Sequence, residues 1–224
     1  MRFGLHLPNF GNCGYDFSSA RCHEKIASVL CQIQRYRKAF HFEYVVFHPP
    51  EDHSVPEPFD YYVQNLRYVD IPLVLENIKT YDIDRFQRFY RCLKGELGDR
   101  LQGICLDVPH AHLAGEDWVD FFHALGSEVK VVHLSDCREG IDFHYPFGIG
   151  GDLHLEEILK RLKRLGFDGV LNFEMLPPSP GYLNDYFETY LRARESFHPE
   201  GMGEVRRRME LIGRLGRWIG MFYR

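Results

Sequence analysis

Six continuous apolar runs recur along the chain: RFGLH at 2–6, EYVVFH at 43–48, PLVLE at 72–76, GICLD at 103–107, KVVH at 130–133 and GVLNFE at 169–174. They show little alternation of polar and apolar positions, as expected of parallel strands buried on both faces. Segments of helical period lie between them. Ser18 or Ser19 can cap a helix that places Ile26, Leu30 and Ile33 on one face, and Asp82 can open another carrying Ile83, Phe86, Phe89, Tyr90, Leu93 and Leu97. The same period predicts helices over 59–68, 116–125, 153–165 and 182–195.

The last residues of successive runs are His6, His48, Glu76, Asp107, His133 and Glu174, spaced 42, 28, 31, 26 and 41 positions apart. A strand, a crossover helix and two loops take about 30 residues or more, so these are βα-unit spacings. The fold class expected is α/β with a TIM-type (β/α) barrel. Six strands are clear where a full barrel has eight, so either two strands are irregular or the barrel is incomplete. Residues 1–224 read as a single domain, in which 200–224 form a C-terminal amphipathic helix with Val205, Met209, Ile212, Leu215 and Ile219 on one side. From Arg192 onward eight Arg face four Glu. Docking of this helix on the barrel or a partner is the simplest reading, with a nucleic-acid or membrane-surface contact as the alternative.

In a barrel the C-terminal strand ends converge on one mouth, so every run delivers a metal-binding side chain to it. Three more candidates stand nearby: His110, three residues after Asp107 in DVPH, and Asp142 with His144 in IDFHYPFGIGG. Asp142 and His144, at i and i+2 of an extended segment, project to one side. Histidines and carboxylates without cysteine are the ligands of catalytic zinc, manganese or iron rather than of structural zinc. Glu76, midway in the strand order, can bridge two ions with its two oxygens. Gly148, Gly150 and Gly151 can let backbone approach a phosphate or sugar. Asp136 and Asp52 are expected to support ligating imidazoles, whereas His53, His112, His123 and His154 read as supporting or surface groups.

Composition narrows the alternatives. The formal charge is −5 and the pI about 6.2, which gives no support to a globally basic nucleic-acid binder. Six cysteines without a CxxC, and no secretory leader, suggest reduced thiols and a cytoplasmic location. No apolar stretch reaches membrane-spanning length. A GxSxG nucleophile elbow and a GxGxxG dinucleotide fingerprint are both lacking.

The series HLPN (6–9), FHPP (47–50), LEN (75–77), DVPH (107–110), HLSD (133–136), DFH (142–144) with FGIGG, and FE (173–174) resembles the endonuclease IV branch of the xylose isomerase-like TIM barrels, over Arg2 to about Met175. The resemblance implies up to three zinc ions, with manganese or iron as alternatives. His6 and His48 would hold the first. Glu76 would bridge it to a second on Asp107, His133 and Glu174, and His110, Asp142 and His144 would hold the third. The activity implied is phosphoester hydrolysis, with Glu174 orienting or deprotonating the attacking water, on abasic-site DNA or a small phosphorylated compound.

The chain departs from that branch in lacking its first βα unit and a clear eighth strand, and in carrying Asn9 where DNA-acting members usually have an aromatic. Sugar isomerases and epimerases of the same superfamily offer a second reading. There one divalent ion sits on the equivalents of Glu76, Asp107, His133 and Glu174, and the two glutamates serve as acid and base. A non-catalytic metal-binding role is the third. An open sheet edge further suggests a homodimer.

Overall fold

A computed structural model describes residues 3–8, 17–18, 23–37, 39–51, 59–176, 179 and 182–211. The sequence readings on Asn9, Cys13, Ser19, Cys22, Asp52, His53 and the tail beyond 211 lie outside these. In chain order the elements are β1 (Phe3–His6), α1 (His23–Arg37), β2 (Phe42–Phe47), α2 (Phe59–Arg67), β3 (Leu73–Glu76), α3 (Ile83–Leu97), β4 (Leu101–Asp107), α4 (Val108–Leu113), α5 (Trp118–Leu125), β5 (Val129–Leu134), β6 (Asp136–Arg138), β7 (Ile141–Tyr145), α6 (Leu155–Arg164), β8 (Val170–Phe173) and α7 (Leu183–Phe197). A last helix, α8, covers 202–211.

Six strands form one sheet in the order β1-β2-β3-β4-β5-β8, and β6 and β7 form an antiparallel hairpin. The architecture is α/β of the TIM-barrel type, with six strands in the main sheet among the described residues where a closed barrel has eight. No helix among them is long and apolar enough to cross a membrane. The chain groups into two compact units, Met1–Val132 and His133–Arg224, and β5 runs from the first into the second.

In the first unit β1 to β4 pair in parallel, with Val46 opposite Val74 and Glu76 opposite Cys105. Strand parity then sorts the side chains. Val46, Val74, Cys105 and Val131 form one buried layer, with Tyr44 packed against it. Gly4 is needed beside that tyrosine, because a Cβ there would come within 2.5 Å of its ring. The opposite parity packs under the helices: Val45, Leu73, Leu75 and Ile104 are almost wholly buried, as are Leu66 of α2 and Phe86 and Leu93 of α3.

The helices start where local chemistry allows. Asp82 caps α3 by accepting from the Arg85 N–H at 2.7 Å, and Asp117 caps α5 through the Val119 N–H at 3.0 Å. Of the face expected for α3, Phe86, Phe89, Tyr90, Leu93 and Leu97 are buried. Phe86 meets Phe121 of α5 with ring centroids 5.8 Å apart, and Phe89 meets Tyr62 at 5.7 Å.

In the second unit α6 buries Leu155, Ile158, Leu159 and Leu162 and packs on α7. Helix α8 buries Met202 and is tied to α7 through Arg206, which reaches Glu195 at 2.9 Å and Glu188 at 3.9 Å. These exposed pairs add little stability. They do occupy one of the tail arginines within the fold.

The Phe86–Phe121 contact joins two helices beneath the sheet, so Phe86→Ala should cost about 3–5 kcal/mol. Denaturant unfolding with an unchanged m-value would register it.

Candidate metal centre

Each strand of the first unit ends one step beyond its buried apolar layer, and parity places the next inward residue there: His6 after Gly4, His48 after Val46, Glu76 after Val74 and Asp107 after Cys105. The centre of this group is the Glu76 carboxylate, whose side chain is only 1 % exposed. Its Oε2 lies 2.8 Å from His6 Nε2 and 3.3 Å from His48 Nε2, and its Oε1 lies 3.5 Å from His110 Nδ1. Two imidazoles thus lie at one carboxylate oxygen and a third stands near the other. The rings of His6 and His48 meet edge to face at 5.1 Å, those of His48 and His110 at 5.8 Å.

Surrounding acceptors fix the imidazole tautomers. His6 Nδ1–H donates to the Leu7 carbonyl at 2.7 Å and His110 Nδ1–H to the Asn77 carbonyl at 2.9 Å, so a backbone carbonyl takes the Nδ1 proton of each. His48 Nδ1 is 2.8 Å from Glu51 Oε1, the carboxylate support that ligating histidines use. The Tyr62 hydroxyl donates to the His48 carbonyl and anchors its backbone. Burial alone would push the His48 imidazolium down. The charge of Glu76 and the hydrogen bonds to Glu51 and Glu76 outweigh it, and the group is raised to about 9.

Asp107 has two jobs. Its Oδ1 caps α4 by accepting the His110 N–H at 2.6 Å, and Pro109 in the first turn suits that start. The capped turn brings His110 back over the strand ends, with Nδ1 3.5 Å from Asp107 Oδ1. Glu76, Asp107 and His110 each offer a ligand atom within 4.8 Å of one another. A cluster of two buried carboxylates with imidazoles beside them fits a divalent cation in its donor chemistry.

In the second unit the remaining four residues form two pairs. His133 Nδ1 lies 2.8 Å from Glu174 Oε2, and the Glu174 N–H donates to the Leu134 carbonyl at 3.1 Å. His144 Nε2 lies 3.3 Å from Asp142 Oδ2 on β7. The expected extended segment is therefore a strand with a bend, because His144 has φ +51°, a left-handed conformation that is costly for a side chain. Ile141, Phe143 and Tyr145 occupy the other parity of β7, with the last two rings stacked at 4.9 Å.

Some supporting residues differ from those expected. Glu51, not singled out in the sequence, is the carboxylate that supports His48, and its position three residues after that histidine is the signal that could have found it. Asn77 was also missed. Its Nδ2–H donates to the Asp107 carbonyl at 3.0 Å and its Oδ1 accepts the Asp107 N–H at 2.7 Å, so it staples the ends of β3 and β4.

Asp136, expected beside an imidazole, instead holds the glycine loop by accepting the Leu153 N–H at 2.9 Å. A Cβ at Gly151 would run into that carboxylate. Gly151 is small because of Asp136, while Gly148 and Gly150 take φ +90° and +93°. His112, His123 and His154 are exposed.

A family model described as a xylose isomerase-like TIM barrel matches residues 3–194. An uncharacterized protein of Methanocaldococcus jannaschii is 34% identical over 74 residues, 32% of this chain and 25% of that relative's own length. Among solved structures, a D-tagatose 3-epimerase-like protein superposes with TM-score 0.60 at 20% identity, over 86% of this chain and 76% of that one. An L-ribulose 3-epimerase gives 0.58 at 16%, over 94% and 77%. An AP endonuclease of family 2 from Brucella melitensis gives 0.57 at 13%, over 80% and 72%. At these identities the likeness is one of fold.

Two predictions follow from the supporting residues. Glu51→Ala should weaken zinc binding by about 10–100-fold without unfolding the chain, as read by competition with a chelator. Burial raises the Asp136 carboxyl above its usual range, with Asp152 adding to the shift and the Leu153 and Cys137 N–H groups and His154 opposing it. A raised carboxyl binds its proton more tightly in the folded state, so stability falls as pH climbs past about 4 and the loss persists above the folded value. Asp136→Asn keeps the acceptor for Leu153 and removes the charge. Its melting temperature should match wild type near pH 3, by calorimetry, and exceed it near pH 7.

Proposed function

The chain belongs to the xylose isomerase-like TIM barrel family, and on that premise we propose that it is a divalent-metal enzyme acting as an isomerase or epimerase on a sugar-like substrate. The observation that carries this reading is that Glu76 and Glu174 each stand at the end of a strand and each meet an imidazole, His6 for the first and His133 for the second. The epimerase structures that share the fold support it. A divalent ion held by Glu76, Asp107, His133 and Glu174 would polarise a carbonyl or hydroxyl oxygen of the substrate. Glu174, partly exposed, removes a proton from carbon, and Glu76 returns one as the complementary acid.

One set of contacts favours a second reading, phosphoester hydrolysis. His6 and His48 on Glu76 Oε2, and the Asp142–His144 pair, are more ligands than one ion uses. They suit two or three ions, and Glu174 would then orient a water toward phosphorus in damaged DNA or a small phosphorylated compound. The shared fold with an AP endonuclease is compatible with this.

Metal content of protein purified without a chelating tag separates the two. About one exchangeable ion per chain, with deuterium entering a sugar carbon from heavy water, supports the isomerase, and Glu174→Gln should then slow that exchange by about 10²–10⁴-fold. Two or three firmly held zinc ions with phosphoester cleavage and no carbon exchange would replace it with the hydrolase.

A further inference from the structure

Glu174 follows the last residue of β8, and its side chain is about one-third exposed. Its carboxylate meets His133 Nδ1 at 2.8 Å, and the backbone beneath it is held from both ends of a three-residue segment. At one end the Glu174 N–H donates to the Leu134 carbonyl at 3.1 Å, and at the other the Leu176 N–H donates to the His144 carbonyl at 2.6 Å. Between them the Met175 side chain is 6 % exposed and serves as an apolar pin. The Leu176 side chain is 66 % exposed and has no comparable packing role.

The acceptor of the second bond is the unusual part. His144 is one of two non-glycine residues with positive φ among those described, and the other, Glu139, lies in the turn of the hairpin. A left-handed histidine within a strand persists only where its surroundings hold it, and the Leu176 N–H holds its carbonyl. The same bend sets the imidazole 3.3 Å from Asp142.

We propose that the Leu176 N–H is a positioning latch, which ties the segment carrying Glu174 to the bent backbone of His144 and so sets the Glu174–His133 and Asp142–His144 pairs as one unit for metal binding. This rests on the metal-enzyme reading above, in either of its forms. Loss of the latch would free the Glu174 carboxylate to swing toward solvent and let His144 relax toward ordinary strand geometry. Both pairs would loosen together.

Leu176→Pro removes the donor, and Leu176→Ala keeps it while deleting the exposed side chain. Zinc affinity, read by competition with a chromogenic chelator and needing no turnover, should fall at least about tenfold in Leu176→Pro, the scale seen when groups that orient ligands are lost. It should stay at the wild-type value in Leu176→Ala. Wild-type affinity in a folded Leu176→Pro chain overturns the latch, as does equal weakening by both substitutions.

If Leu176→Pro does not fold, amide hydrogen exchange on the wild-type chain decides. Exchange at Leu176 that slows further on adding zinc supports the latch, and exchange at solvent rate with and without zinc overturns it. A wild-type chain that takes up neither zinc nor manganese overturns the metal-enzyme reading and the latch with it. A chain that binds metal but ignores Leu176→Pro overturns the latch alone.

Discussion

A carboxylate removed from water is costly unless donors or cations meet it, and Glu76 is a carboxylate with almost no exposure at the centre of the first unit. His6 and His48 meet one of its oxygens, and His110 stands 3.5 Å from the other. Much of the local design answers that one demand. Glu51 supports the far side of His48, the Leu7 and Asn77 carbonyls take the Nδ1 protons of His6 and His110, and the turn capped by Asp107 returns His110 toward the cluster. Removing one partner of such a group strands the others, so these side chains form a set.

The apolar layer beneath explains why the set can be built at all. Val46, Val74, Cys105 and Val131 fill one level of the sheet, and the strands end just above it. Packing and chemistry therefore occupy successive levels of the same strands. The apolar level is closed by side chains that carry no reactive role, and the polar level is reached only where the backbone leaves the sheet. A substitution can alter the upper level without emptying the lower one, which suits a fold that carries many chemistries by changing strand ends and loops.

Much of this was legible in the sequence because it obeys simple periods. The strands, the Asp82 cap and the buried face of α3 follow from hydrophobic spacing and from one capping residue. Ending each run on a ligand-type residue also marked where chemistry would gather. The supporting contacts were less legible because they depend on loop geometry. That Glu51 turns toward His48 is decided by the path of the chain after β2, and Asp136 faces a glycine loop because the Leu153 N–H lies within its reach. The left-handed turn at His144 has no signature in DFHY either, since it is held by a residue far along the chain.

Asn77 shows how narrow the tolerance of such a centre is. Its amide gives one hydrogen to the Asp107 carbonyl and accepts one from the Asp107 N–H, in a nearly inaccessible position. Only a side chain that is donor and acceptor at once satisfies both. Deamidation, a change of a single group that leaves the chain length and the sheet intact, would set oxygen against oxygen and add a third negative charge beside Glu76 and Asp107. A change of that one amide would therefore fall on the strand-end chemistry before it touched the fold.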